Sequence, residues 1–91
     1  MTLEERLDRV RDRASFLEFV DSLAEDREDE VKKERLSPSP PFGPGTNGWE
    51  NGSIETYLDA CVRCAVDGDA LPEEPSWQAF AHFLWLGKGY E

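Results

Sequence analysis

The chain has 91 residues, 20 of them acidic and 10 basic, for a formal net charge of −10. That length makes one domain with a compact core. The charge opposes binding to phosphate backbones or anionic lipid, both of which select clustered Lys and Arg. It suits steering of a basic protein partner, or solubility alone.

The opening, MTLEERLDRVRDR, is charged throughout and lacks the apolar run of a signal peptide. No stretch approaches the roughly 20 apolar residues of a bilayer span. The only cysteines, Cys61 and Cys64, lie three apart, where a bridge would close almost no loop. Together these features point to a soluble protein of the reducing cytoplasm.

Thr2 and Glu5 have capping-box spacing and open a first helix with Leu3, Leu7 and Val10 on one face. A second helix starts at Asp12 or Ser15, where Ser15 and Glu18 repeat that spacing. Phe16, Phe19, Val20, Leu23 and Ala24 form its apolar stripe. Leu3, Leu7, Val10, Ala14 and Leu17 also fit a continuous helix with a coiled-coil seam. Asp21 falls on the next seam position, so two helices are favoured. Beyond Ala24 the pattern fails: EDREDEVKKER has helical charge pairs at Glu28–Lys32 and Asp29–Lys33, but only Val31 and Leu36 to reach a core. It reads as a solvated, fraying extension.

Residues 37 to 48, SPSPPFGPGTNG, hold four prolines and three glycines and read as a mobile connector. A Pro-Pro-Phe segment held open for a recognition domain is the functional alternative, and Phe42 tucking back on the helices is a third. Asn51-Gly52 is a turn pair, and Ser53 caps the third helix. There Ile54, Tyr57, Leu58, Cys61, Val62 and Ala65 form an amphipathic stripe, with Glu55, Asp59 and Arg63 opposite. Asp67-Gly68-Asp69 ends it. A turn with Pro72 and Pro75 leads to a fourth helix from Ser76, WQAFAHFLWL, apolar nearly all round and stopped by Gly87 and Gly89. Such a helix is central, or part of it meets another molecule; Phe83 and Leu86 are its candidates for a dimer contact.

The expected fold is therefore all-α: a small single-domain bundle of about four helices with a long Pro/Gly-rich loop between helices 2 and 3. N-terminal helices occupy 1–36, the loop 37–52 and a helical pair 53–91.

The catalytic case is close to empty. Cys61-x-x-Cys64 lies mid-helix with one histidine in the chain, whereas a structural zinc site wants four ligands and a redox pair a helix N-terminus. Two small core residues are the simpler reading, and a redox or metal role is the minor alternative. His82 reads as an edge residue, Glu73-Glu74 as a solvated turn, and no phosphate loop is present. No catalytic residue, metal ligand or cofactor is expected, and the chain is read as not an enzyme. The aromatics of the second half, among them Trp49, Trp77 and Trp85, are core residues, any exposed one marking an interface.

Trp49-Glu50-Asn51, Ile54, Tyr57-Leu58, Ala60, Trp77, Phe80-Ala81, Leu84 and the terminal Tyr90-Glu91 recur together, with Phe16-Leu17-Glu18-Phe19-Val20 and Leu23 as an opening helix. This pattern resembles a family of small bacterial domains of unknown function, over roughly residues 12 to 91 apart from the proline-rich insert. The resemblance brings no catalytic residues. Small acidic bacterial proteins commonly neutralise toxins, which by analogy points to an immunity or antitoxin-like inhibitor. The residues themselves allow a packing role: Trp49 against Tyr57 or Leu58, Glu50 accepting near the helix start, Tyr90 folding back on the fourth helix.

The functional expectation is an acidic protein-interaction module for a basic partner, with Glu50, Glu55 and Asp59 as candidate partner-binding residues. No nucleic acid or membrane partner is expected. A self-associating domain dimerising through the fourth helix is the alternative.

Overall fold

The computed structural model describes residues 1–41 and 43–89; the expectations for Phe42 and for Tyr90 lie outside them. Four helices and no strand occur among the described residues: α1 (Leu3–Asp8), α2 (Arg13–Leu36), α3 (Ile54–Asp67) and α4 (Trp77–Gly89). The break between α1 and α2 is real. Thr2 Oγ1 accepts the Glu5 N–H at 3.1 Å to cap α1. Asp12 caps α2, accepting the Ser15 N–H at 2.9 Å while Ser15 Oγ accepts the Asp12 N–H at 3.1 Å. The reciprocal box thus starts at Asp12, with Ser15 as its second member rather than its first.

The core gathers Leu7, Val10, Phe19, Leu23, Trp49 and Ala81, with Phe16, Tyr57, Leu84 and Trp85 packed around it. Helix α4 is central: α1, α2 and α3 all pack on it, while α2 and α3 stay apart. That is why α4 is apolar nearly all round, and why Phe83 and Leu86 are half-buried. Its first turn is capped by Ser76 Oγ, which accepts the Ala79 N–H at 3.0 Å.

Two expectations about the helical pair are corrected. Gly87 does not stop α4. It lies buried inside the helix, where an added Cβ would overlap Cys61 Sγ. This close approach also decides which face of α3 packs. Ala60, Cys61 and Cys64 are buried, whereas Ile54, Leu58 and Val62 of the expected stripe are exposed. Small side chains let the two backbones close together, and the larger ones cannot enter the gap.

A third correction concerns α2. It runs unbroken to Leu36, and its second half is no fraying extension. Glu30 is 1% exposed, while Leu36 is in solvent. The expected Asp29–Lys33 pair does form, at 2.7 Å. What covers Glu30 is the Pro/Gly-rich loop.

Candidate interaction surface

Asp26, Glu30 and Glu34 stand four residues apart on one side of α2, and each carboxylate holds part of the loop. Glu34 accepts the Ser39 N–H at 2.7 Å and hydroxyl at 2.6 Å, and the Thr46 N–H at 2.8 Å and hydroxyl at 3.0 Å. These donors, the Ser39 hydroxyl foremost, hold its carboxyl down to about 2. Glu30 Oε1 accepts the N–H groups of Asn47 and Trp49, both at 3.1 Å, and its other oxygen pairs with Arg27. Asp26 Oδ2 accepts Trp49 Nε1–H at 2.8 Å and pairs with Lys88 Nζ at 2.7 Å. Asn47 Nδ2 donates to the Asp26 carbonyl and to Asp29 Oδ2, each at 3.0 Å.

The segment from 37 to 48 is therefore fastened at several points, contrary to the mobility its composition implied. Hydrogen bonds to charged acceptors offset the ordering entropy that apolar burial alone would not. Its tight turn runs from Gly45 to Gly48, where the Gly48 N–H donates to the Gly45 carbonyl at 2.9 Å and Gly48 has φ 86°, rather than at Asn51-Gly52. Asn51 instead donates its side-chain amide to the Gly87 carbonyl at 2.9 Å. A readable signal was present: carboxylates at 26, 30 and 34, followed by a stretch that holds the hydroxyls of Ser37, Ser39 and Thr46.

Fastening the loop places Trp49 at the head of a groove. Its ring lies 5.9 Å from that of Tyr57, as the packing role for this residue required, and Arg27 sits 5.7 Å over it. Because α2 and α3 both pack on α4 without meeting, a cleft of about 360 Å³ opens between them. Val20, Leu23 and Ala24 line it from α2, Ile54 and Tyr57 from α3, and Leu84 from α4. The Tyr57 hydroxyl donates to the Leu84 carbonyl at 2.6 Å, which pairs those two groups within the chain. Burial pushes the Tyr57 hydroxyl far above its ordinary value, leaving it a neutral donor.

Beside the cleft, α3 carries an apolar ridge at every fourth residue: Ile54, Leu58, Val62 and Val66, with Ile54 77% and Val66 73% exposed. Trp77 and Phe80 at the start of α4 are exposed to about two-fifths, the rings 6.3 Å apart.

The three candidate carboxylates are not equivalent. Glu55 is exposed in the first turn of α3. Asp59, one turn on, pairs with Arg63 at 2.9 Å. Glu50 is half-buried, its backbone N–H donating to the Lys88 carbonyl at 2.9 Å. The larger feature is the ridge, three of whose members, Ile54, Leu58 and Val62, the sequence reading placed on the apolar stripe of α3.

Cys61 and Cys64 are both buried. Burial pushes the Cys61 thiol up, away from the thiolate that metal or redox chemistry uses. His82 stacks on Trp85 with centroids 6.2 Å apart. None of the helices is long and apolar enough to cross a membrane, among the described residues.

A family model described as a family of unknown function, DUF7660, matches residues 12–91. The chain belongs to that family. The match starts at Asp12, the cap of α2, so α1 precedes it while the loop and the α3–α4 pair lie within it. No curated protein and no solved structure matches the chain.

Proposed function

We propose that the chain is a non-catalytic, acidic protein-interaction module, of the kind that inhibits a basic partner as immunity and antitoxin proteins do, and that it works in the cytoplasm. The supporting observation is the ridge of Ile54, Leu58, Val62 and Val66, which stays in solvent on a small domain carrying a net charge of −10. A contiguous apolar strip set among charges is the usual anatomy of a recognition surface. Glu55 and Asp59 lie between its members in sequence and add a negative field that speeds encounter with a cationic protein.

The test uses the chain as bait in native extract, beside a Leu58→Asp variant. Leu58 is half-exposed, so the variant keeps the fold. A partner captured by the wild type and lost with the variant supports the reading. Its association should slow as salt rises, and reversal of Glu55 and Asp59 to Lys should lower the on-rate. A partner indifferent to salt and to the reversal removes the acidic face from the site.

Self-association is the second reading. Phe83 and Leu86 of α4 are half-buried, so the more exposed ridge on α3 is the surface we propose for it. Sedimentation at several concentrations separates the two readings.

A further inference from the structure

We infer that the cleft between α2 and α3 takes one turn-to-turn segment of a partner: an amphipathic helix with Lys or Arg beside its apolar face. This rests on the interaction-module reading and names the occupant. The first argument is shape. Val20 to Arg27 on α2 is a span of seven helical rises, about 10.5 Å. That is the span of apolar anchors at i, i+3, i+4 and i+7, the spacing by which a helix fills a groove. No strand edge exists among the described residues to template an extended peptide. The lining is mainly apolar, aliphatic from Val20, Leu23, Ala24, Ile54 and Leu84 and aromatic from Trp49 and Tyr57, which suits large apolar anchors at helical spacing.

The second argument is charge. Of the charged residues of α2 beside the cleft, Asp21 and Glu28 are acidic and exposed, and one cation, Arg27, lines it. That cation is engaged: it pairs with Glu30 and donates to the Gly52 carbonyl at 3.3 Å. Asp21 and Glu28 each follow a groove residue by one position on the exposed side of α2, and Glu55 follows Ile54 on α3. Apart from the engaged Arg27 the cleft is mainly apolar, and the free charges beside it, Asp21 and Glu28 on α2 and Glu55 on α3, are negative, which repels an acidic helix and complements a basic one.

The experiment titrates an 18-residue helical peptide, Leu at the anchor positions and Lys elsewhere, into isotopically labelled protein. A peptide with the same Leu residues and Glu in place of Lys is the comparison. We expect the amides of Val20, Ala24, Ile54 and Tyr57 to shift, with the Lys peptide binding at least tenfold more tightly. Ala24→Trp, a substitution at an exposed helical site that fills the cleft, should weaken it about tenfold. Asp21→Lys with Glu55→Lys should weaken it at low salt and matter less at high salt. Equal binding of the two peptides, or binding that ignores Ala24→Trp, overturns the proposal. So do groove shifts that depend on protein concentration alone, which would make a second copy the occupant. If the peptides stay out while a native partner still needs Leu58, the helical occupant falls and the interaction module stands. If neither binds through this face, both fall.

Discussion

The buried carboxylate of Glu30 accepts the backbone N–H of Trp49 at 3.1 Å, across nineteen residues of chain. The same oxygen holds Asn47, and the other meets Arg27. Glu30→Ala should therefore leave two N–H groups without their acceptor and deprive the Arg27 guanidinium of its carboxylate. The expected loss is about 3 kcal/mol in urea denaturation. Trypsin should then cut between residues 27 and 35 faster than in wild type. A loss below about 1 kcal/mol would mean that the loop is anchored elsewhere.

Gly87 and Cys61 set the distance between α4 and α3. Gly87→Ala should cost about 1–3 kcal/mol, because its methyl overlaps the sulfur. Cys61→Ala alone should cost a similar amount through the cavity it leaves. The double variant should be clearly more stable than the sum of the two losses implies, since each change makes room for the other. Simple additivity in a thermal or urea cycle would show that the helices are not held at that contact.

Acid should loosen the loop in a defined window. The folded carboxyl of Glu34 sits at about 2, below its ordinary 4.5. A depressed carboxyl contributes stability that is present above 4.5 and fades as pH falls toward 2. The amide resonances of Ser39 and Thr46 should accordingly titrate with a midpoint near 2, and Glu34→Gln should abolish that titration. A midpoint at the ordinary value would place the carboxylate in water.

Asp26 ties three parts of the chain together: α2, the Trp49 indole and Lys88 near the end of α4. Asp26→Ala should cost about 2 kcal/mol, because it strands a largely covered Lys and an indole N–H. Lys88→Met in that background should recover part of the loss by removing the stranded charge. No recovery would show that the ion pair is incidental to the fold.

Much of this protein is legible locally. Thr2, Asp12, Ser53 and Ser76 stand at the helix starts, and Leu3, Leu7 and Val10 carry their period, because capping and periodicity are interactions within a few residues. Two decisions are not local. The stripe of α3 has a clear apolar face, yet the packed face is rotated toward Ala60, Cys61 and Cys64. Gly87, more than twenty residues away, permits an approach that only small side chains can match. In the same way, EDREDEVKKER reads as a solvated helix because only Val31 and Leu36 could reach a core, and nothing local marks Glu30 and Glu34 as anchors. Their partners are the N–H groups and hydroxyls of a loop rich in proline and glycine, and only the folded chain brings them within hydrogen-bonding distance. Period and caps therefore settled where the helices lie, while contacts between distant residues decided which apolar surface was buried and which was left in solvent.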